Sequence, residues 1–221
     1  MVCGDEIEKG LVCDKCLGKL TRLDIQTCPV CGEPVFERKS HRCREERLKL
    51  KRIRTLGGYD SPRKELIGEL KYHHKPSLAK ILGREMGVIL NSDPILKTSD
   101  IIIPIPLHPA RKRERGYNQA ELLAEEISRF THIPFSDCLE RVKNTKAQVT
   151  LSERERLENV KGAFKLKKGV DISGKRVILV DDVFTTGATL NAAALSLLEG
   201  GAEEVYGLTA AAAHPGTDSQ R

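Results

Sequence analysis

The chain has 221 residues, of which 39% are hydrophobic and 31% charged, with a net charge of +6. This length suits one medium domain with an appendage or two small domains, and the apolar share excludes a wholly disordered chain. No apolar run approaches the roughly 18 residues of a membrane-spanning helix, and the N-terminus lacks the apolar region of a signal peptide. We therefore expect a cytoplasmic protein.

The N-terminal segment is rich in cysteine. Six of the seven cysteines lie within the first 43 residues, and four of them form two C-x-x-C pairs. They are Cys3, Cys13, Cys16, Cys28, Cys31 and Cys43. In a reducing compartment thiols favour metal binding over disulfides, and the two-residue spacing directs both sulfurs at one tetrahedral Zn²⁺. The pattern predicts a zinc module over residues 1–46, in which the metal is structural because so small a segment needs it to fold.

An internal repeat runs through the cysteine segment. Val2-Cys3-Gly4 recurs as Val30-Cys31-Gly32, and an acidic residue follows each copy. The repeat predicts a double zinc ribbon in which each ligand set lacks one cysteine: the first lacks the cysteine expected three residues before Cys3, and Ser40 stands at the equivalent place in the second. The two sets are Cys3, Cys13 and Cys16, and Cys28, Cys31 and Cys43, with His41 as a candidate fourth ligand of the second. Two zincs, one zinc on the two C-x-x-C pairs, or none remain the alternatives.

A basic stretch follows the cysteine segment. Nine lysines and arginines lie between residues 38 and 54, and a second basic cluster lies between residues 111 and 115. Such clusters suit a phosphate-bearing partner, either nucleic acid or a small polyphosphate, although a solvated helix face has the same composition. We expect a charged helix over residues 45–54, within a connector over residues 47–60.

Helical and strand patterns alternate over residues 61–221. Amphipathic segments predict helices at residues 62–72, 76–90, 119–130 and 189–199. Short apolar runs predict buried strands at residues 100–105, 175–180 and 205–211. This alternation indicates an α/β domain with a mostly parallel sheet and flanking helices.

The strongest functional motif lies at the end of the second predicted strand. Residues 177–189 read VILVDDVFTTGAT, which is an apolar strand, two acids and a Thr/Gly-rich turn that opens a helix. Ligands of parallel sheets bind beyond the carboxyl ends of the strands, and backbone N–H groups at a helix start bind anions. We expect the turn to hold a phosphate monoester, with Gly187 allowing close approach. Its predicted ligands are Thr185, Thr186, Gly187, Ala188 and Thr189.

The two acids of this motif, Asp181 and Asp182, are spaced to accept hydrogen bonds from sugar hydroxyls. A diol next to a phosphate describes a ribose 5-phosphate. The motif resembles the phosphoribosyl pyrophosphate (PRPP) motif of type I phosphoribosyltransferases, which has the same order of apolar strand, two acids and TTGAT-type loop.

Other segments extend this resemblance to nearly the whole chain. Residues 103–120 (IPIPLHPARKRERGYNQA), residues 148–164 (QVTLSERERLENVKGAF) and the cysteine-rich head together resemble the ComF (competence protein F) family. The resemblance implies a zinc ribbon fused to a type I phosphoribosyltransferase-like domain. It also implies an association with DNA uptake during natural transformation.

The resemblance assigns roles to further residues. The pyrophosphate of PRPP carries several negative charges and needs Mg²⁺ and cations, for which the loop after the first strand is the natural cradle. Its candidate ligands are Arg111, Arg113, Arg115 and Asn118. Residues 148–162 resemble the mobile hood of this fold, which excludes water from the reacting centre, with Arg156 and Asn159 as candidate contacts. Asp181 and Asp182 are the catalytic candidates.

Two functions fit these features. The first is a Mg²⁺-dependent phosphoribosyltransferase, a glycosyltransferase of the pentosyl class, whose acceptor the sequence does not identify. Its zinc head and basic connector recruit single-stranded DNA or competence proteins, and partners provide any peripheral membrane association. The second is a non-catalytic adaptor that keeps the PRPP fold while its head and connector bind single-stranded DNA or the uptake machinery.

Overall fold

A four-stranded parallel sheet forms the centre of the fold. The structure is a computed structural model, and it describes residues 12–20, 28, 48–143, 160 and 162–213. The strands of this sheet are β1 (Arg52–Thr55), β2 (Ile101–Pro104), β5 (Arg176–Phe184) and β6 (Glu204–Ala212). They lie in the order β1-β6-β5-β2, and every neighbouring pair is parallel. A separate antiparallel pair is formed by β3 (Leu139–Arg141) and β4 (Phe164–Leu166).

Helices cover both faces of the parallel sheet. The described helices are α1 (Asp14–Leu20), α2 (Arg63–Tyr72), α3 (Leu78–Ser92), α4 (Pro109–Arg115), α5 (Gln119–Thr131) and α6 (Ala188–Glu199). On one face α2, α3 and α5 pack against alternate strand residues such as Ile178 and Leu208. On the other face α6 packs against Val177 and Leu179. Because β5 is buried on both faces, it reads as a continuous apolar run.

The two central strands end at different heights. The last pair between β2 and β5 joins Pro104 to Val180, but β5 continues for four more residues to Phe184 and stays paired with β6. Among the described residues, no strand pairs with this edge of β5 beyond Val180. The two acids of the motif lie on this extension, past the end of β2.

The structure confirms the predicted helices and strands of the α/β domain to within a few residues, and with them the predicted fold class. The strand predicted at residues 175–180 is longer and includes both acids. The basic residues 111–115, expected in a loop, form helix α4, because the His108 ring accepts a hydrogen bond from the Ala110 N–H at its start and Gly116 ends it at φ 82°.

The helix predicted over residues 45–54 is wrong in its described part. Residues 48–50 are not helical, and Arg52–Thr55 is the edge strand β1. Its side chains alternate, since Ile53 and Thr55 are buried while Arg52 and Arg54 are half-buried. Backbone pairing with β6 and burial of one face outweigh the helix propensity of the charged sequence.

The end of α1 is packed on the α/β domain. Leu20 is fully buried in the same core cluster as residues of α2 and α3. The buried guanidinium of Arg63, at the start of α2, donates to the carbonyl oxygens of Lys19 at 3.1 Å and Gly58 at 2.8 Å, and it pairs with Asp60. The described part of the cysteine-rich segment is thus continuous with the main core.

Across the described ranges, none of the helices combines the length and apolarity that crossing a bilayer requires.

The buried carboxylate of Asp93 fixes β1 to the end of α3. Its oxygens lie 3.0 Å from Arg52 and 2.7 Å from Arg54, and they accept the N–H groups of Ile95 and Leu96. Burial alone would raise the pKa of Asp93, but these hydrogen bonds and the two guanidiniums lower it below its usual value. Two arginines of the expected DNA-binding connector therefore have an ion-pair partner inside the chain.

Replacing Asp93 by asparagine is expected to lower the free energy of unfolding by about 3 kcal/mol, since it removes the buried carboxylate that pairs with two partly buried guanidiniums. Urea unfolding at neutral pH measures this. The matched control is Asp137→Asn, because Asp137 pairs with Lys167 at 2.9 Å with both side chains 42% exposed, and such pairs contribute less than about 1 kcal/mol. Equal effects of the two substitutions would contradict the role of Asp93.

Candidate active site

A cavity of about 320 Å³ lies beside the extension of β5. We call it the strand-end cavity. Its walls come from β5, the start of α6, the end of α2, and helices α4 and α5. The polar residues that line it are Tyr59, Lys71, Tyr72, Arg111, Arg115, Asn118, Gln119, Arg141, Asp181, Asp182, Thr185 and Thr189. The parallel sheet thus brings the acids, the threonine turn and the basic cluster of the sequence to one place.

The two acids have different surroundings. Both oxygens of the buried Asp182 carboxylate are occupied, one by the Lys71 ammonium at 2.8 Å and the other by the Gln119 side-chain amide at 2.7 Å. Asp181 is half-buried, and one of its oxygens accepts the backbone N–H of Asp182 at 2.9 Å. Asp182 is therefore held by side chains on both oxygens, whereas Asp181 lines the cavity and is held by a backbone N–H on one oxygen.

These surroundings shift the pKa values of the pair. Burial, followed by the neighbouring Asp182 charge, raises the pKa of Asp181 to about 7. Burial alone would lower the pKa of Lys71, but the charge and hydrogen bond of Asp182 raise it above the usual value. Lys71 therefore keeps its positive charge, and Asp181 changes its charge near neutral pH.

The threonine turn consists of residues 185–189. Two of its five residues, Thr185 and Thr189, line the cavity, while Thr186, Gly187 and Ala188 are buried. A recess of about 10 Å³ within the turn has room for roughly one water. A phosphate group would therefore lie at the mouth of this recess, against the Thr185 and Thr189 hydroxyls.

Gly187 is required by its backbone conformation and by its neighbours. Its φ of 77° is in the left-handed region that favours glycine, and a Cβ there would lie 2.9 Å from the Phe184 ring and 3.2 Å from Leu48. The place that a side chain would occupy is therefore filled by protein atoms. The glycine permits the tight turn into α6, and it also lines the recess.

The predicted cationic residues divide into two groups. Arg111 and Arg115 line the cavity, whereas Arg113 is exposed and outside its lining. Asn118 also lies in the wall, but its side chain accepts the Ala120 N–H to start α5 and donates to the Ile105 carbonyl at 3.0 Å. The structure thus gives Asn118 a positioning role in the wall and does not bring Arg113 to the site.

Of the polar lining residues that sequence reasoning missed, three carry a cationic or amide group, namely Lys71, Gln119 and Arg141. Lys71 lies in the last turn of an amphipathic helix, and Gln119 is 63 residues from its partner Asp182. Arg141 comes from the short strand β3, where its guanidinium lies 5.4 Å from the centre of the Phe164 ring. Burial, and then the Arg111 charge, lower its pKa. No local spacing connects these residues with the motif, because tertiary packing alone brings them there.

A chain of hydrogen bonds connects these groups. The Arg115 guanidinium donates to the side-chain oxygen Oε1 of Gln119 at 2.7 Å, and the side-chain nitrogen Nε2 of Gln119 donates to the Asp182 carboxylate. This pattern fixes the orientation of the Gln119 amide. Lys71 completes the chain on the other oxygen of Asp182.

Several predicted site residues lie outside the described residues. They are Cys3, Cys31, His41 and Cys43 of the zinc module, and Arg156 and Asn159 of the hood. Of the remaining cysteines of the module, Cys13 directly precedes α1, Cys16 lies in its first turn, and Cys16 and Cys28 are buried. Within the part of the chain that the structure describes, no three His, Cys, Asp or Glu side chains group as metal ligands. The zinc assignment stays a prediction.

Comparison with known proteins identifies the family. A family model described as a phosphoribosyl transferase domain matches residues 114–219. "Competence protein F" of Haemophilus influenzae is 33% identical over 217 residues, covering 93% of each chain. "DNA utilization protein YhgH" of Shigella flexneri is 35% identical over 202 residues, covering 88% of this chain and 87% of the relative. The chain belongs to the ComF family.

The ComF-family chain also has a more distant likeness among solved structures. Glutamine PRPP amidotransferase from B. subtilis, complexed with ADP and GMP, matches with a TM-score of 0.44 and 20% identity, over 64% of this chain and 30% of that one. The residues that the phosphoribosyl transferase model matches in this ComF protein include the acid pair and the threonine turn, while Lys71 and Arg111 lie before the matched range.

The raised pKa of Asp181 makes the stability of this ComF protein depend on pH. Between the usual Asp value of 3.8 and about 7, the folded state keeps a proton that the unfolded state has released, so stability falls as pH rises through this range. Asp181→Asn removes the titrating group. We expect the variant to be more stable than wild type at pH 8, by at most about 4 kcal/mol, and the difference to shrink towards pH 4.

Thermal or urea unfolding of both proteins across pH 4–8 measures this difference. Asp137→Asn is the matched control, because the Asp137 side chain is 42% exposed and lies outside the cavity lining. Parallel pH profiles for wild type and Asp181→Asn would contradict a raised pKa at Asp181.

Proposed function

We propose that this ComF-family protein binds PRPP with Mg²⁺ in the strand-end cavity and transfers the phosphoribosyl group to an acceptor. The observation that carries the proposal is the arrangement of the cavity, which has a carboxylate pair at the end of β5 between a threonine turn and a cationic wall. A molecule with a phosphate at one end, a diol in the middle and a pyrophosphate at the other matches that order of groups. The relatives named for competence and DNA utilization support a role in DNA uptake.

The 5-phosphate is assigned to the threonine turn. The hydroxyls of Thr185 and Thr189 line the cavity, and the turn leads directly into α6, which has 12 residues. The positive end of the helix dipole and the first N–H groups of a helix attract phosphate. Thr186 holds the turn, since its hydroxyl accepts the Ala188 N–H at 3.4 Å.

The Asp181 carboxyl fits a magnesium ion bound together with the ligand. Mg²⁺ is usually held by one or two carboxylates and completes its octahedron with water and substrate phosphates. Asp181 supplies one such oxygen donor at the cavity wall, while both Asp182 oxygens are already engaged. When bound, the ion neutralises charge on the pyrophosphate. The same carboxylate is placed to accept a ribose hydroxyl.

The cationic wall, formed by Arg111 and Arg115, is assigned to the pyrophosphate that leaves in the reaction. In the transfer, a lone pair of the acceptor forms a bond to C1 of the ribose, the C1–O bond to pyrophosphate breaks, and pyrophosphate leaves with the bonding electrons. Arg111 and Arg115 supply positive charge where negative charge develops, which lowers the barrier in a site of low dielectric. Asp181 supplies negative charge where C1 becomes positive.

The two acids are expected to contribute unequally to PRPP binding. Asp181→Asn removes the ligand-facing charge and should weaken PRPP binding about 10–100-fold with Mg²⁺ present. Asp182→Asn leaves the ligand-facing acid in place, so its direct effect on PRPP affinity should be a few-fold. It also sets an amide nitrogen against Lys71 or Gln119 and removes the carboxylate that pairs with Lys71, so it should lower the stability of the fold. The double variant should not bind measurably. Calorimetric titration of PRPP with Mg²⁺ into the full-length protein measures all three, with Asp137→Asn as control.

Each outcome of this titration has a meaning. A larger loss for Asp182→Asn than for Asp181→Asn would overturn the unequal roles, and a double variant that binds like wild type would refute the ribose assignment. If the folded wild-type protein does not bind PRPP, the proposed function is wrong. Binding without pyrophosphate release in an acceptor screen would favour the non-catalytic adaptor.

We also propose that the cysteine-rich segment binds structural zinc. Thiolates are preferred zinc ligands, and Cys16 and Cys28 are 3% and 6% exposed, as expected for structural ligands rather than for reactive thiols. Loss of such a metal would destabilise the head, since binding and folding of small metal modules are coupled.

Zinc content of the purified protein, measured by atomic emission, is expected to be one or two per chain. Cys13→Ser separates the two models: it should leave one zinc if the two ligand sets are separate and none if the two C-x-x-C pairs share one ion. Cys138→Ser is the control, because Cys138 is buried in the α/β domain and burial raises the pKa of its thiol. A wild-type protein without zinc would refute the proposal.

A further inference from the structure

A hydrogen bond outside the strand-end cavity joins the end of α2 to the turn between α4 and α5. The Tyr117 hydroxyl, in this turn, donates to the Leu70 carbonyl in the last turn of α2, 47 residues away in the sequence. Tyr117 is not among the residues that line the cavity, and the proposed transfer does not use it. Its ring is half-buried against the main core cluster, and burial raises the pKa of Tyr117 above its usual value. The hydroxyl therefore keeps the proton that it donates.

The Leu70 carbonyl needs a partner from outside its own helix, because the last four carbonyls of an α-helix have no intrahelical donor. His73 returns its N–H to Glu69, and His74 follows in the left-handed region at φ 52°. In a common helix ending, the N–H of such a left-handed residue bonds to the carbonyl four positions back, which here is Leu70. Among the described residues, none of the backbone N–H groups beyond the helix bonds to this carbonyl. The Tyr117 hydroxyl takes their place and caps α2.

The last turn of α2 carries two side chains of the site. Lys71, next to Leu70, pairs with Asp182 at 2.8 Å. The Tyr72 ring contacts Arg115, whose guanidinium carbon lies 5.4 Å from the ring centre. Helix ends fray, and the lysine ammonium is attached through a flexible four-carbon stem. Both contacts therefore depend on where the backbone of this last turn lies.

The Arg115 guanidinium is held from two sides, and both supports end at α2. On one side it donates to Gln119, whose amide donates to Asp182 opposite Lys71. On the other side it contacts the Tyr72 ring. A loss of order at the end of α2 would therefore displace the guanidinium that is assigned to the pyrophosphate. The threonine turn, which is assigned to the 5-phosphate, lies between β5 and α6 and has no such dependence.

The Tyr117 ring makes a second contact that does not involve its hydroxyl. The His74 and Tyr117 rings are 6.3 Å apart, with their planes at 79°. Such edge-to-face pairs of rings are favourable. Replacing Tyr117 by phenylalanine keeps this ring contact and removes only the hydrogen bond to Leu70.

We propose that Tyr117 is a positioning residue of the site. Its hydroxyl holds the last turn of α2, and through this turn it sets Lys71 against Asp182 and keeps Arg115 in the cationic wall. Tyr117 does not touch the ligand. The inference rests on the proposed function for the identity of the ligand, whereas the effect on Lys71 is independent of it.

The first test is an NMR measurement of the Lys71 side-chain ammonium in the full-length protein, with Lys71→Arg to identify its signal. Tyr117→Phe should shift or broaden this signal, because the contact with Asp182 becomes less ordered. Tyr206→Phe is the matched control and should leave the signal unchanged. The Tyr206 hydroxyl donates to Glu204 at the start of β6, which is the end of the sheet opposite the cavity.

The second test is calorimetric titration of inorganic pyrophosphate and of ribose 5-phosphate, each with Mg²⁺, into the same proteins. Tyr117→Phe should weaken pyrophosphate binding about three- to tenfold, the range expected for one lost hydrogen bond, and leave ribose 5-phosphate binding unchanged. A general loss of stability would weaken both ligands alike, so the difference between them reports positioning. Tyr206→Phe should change neither, although urea unfolding should show both variants to be less stable than wild type.

The inference is overturned if the Lys71 signal is unchanged in Tyr117→Phe, or if the variant binds pyrophosphate as tightly as a wild-type protein that binds it. Equal weakening of both ligands, or the same effects in Tyr206→Phe, would also overturn it. If the wild-type protein binds neither ligand while the Lys71 signal responds to Tyr117→Phe alone, the proposed function fails and the positioning of Lys71 stands.

Discussion

Repulsion between two adjacent carboxylates at the end of a buried strand is the constraint on which this site depends. Two negative charges on neighbouring residues of β5 cannot both persist in a low dielectric without a counter-charge. The Lys71 ammonium and the Gln119 amide hold the two oxygens of Asp182, and burial together with the Asp182 charge raises the pKa of Asp181 to about 7. Helices α2 and α5 are thus needed at the sheet end for electrostatic reasons as well as for packing.

The sequence was informative where a function depends on consecutive residues. The strand, the acid pair and the threonine turn are contiguous, so residues 177–189 predicted the strand, turn and helix that the structure shows. Lys71 and Gln119 were not predicted, because their contacts with Asp182 join separate helices to one strand. The helix predicted over the charged residues before Thr55 was wrong for a related reason. Helix propensity depends on neighbouring residues, whereas the pairing of this segment with β6 and Asp93 depends on residues far away in the sequence.

The basic residues show how charge counts alone mislead. Four arginines have four different environments. Arg54 is paired with Asp93, and Arg63 donates to carbonyl oxygens. Arg113 is exposed, whereas Arg115 lies between the Gln119 amide and the Tyr72 ring. Burial and partners distinguish them, and neither can be read from spacing.

Helix α2 connects the cysteine-rich segment with the candidate site. Arg63 at its start holds the carbonyl oxygen of Lys19 in the cysteine-rich segment, and Lys71 in its last turn holds Asp182. Ten helical residues span about 15 Å. The described end of the cysteine-rich segment is therefore tied through one short helix to the acid pair, and a hybrid chain with the cysteine-rich segment of a relative would have to keep the contact between Lys19 and Arg63.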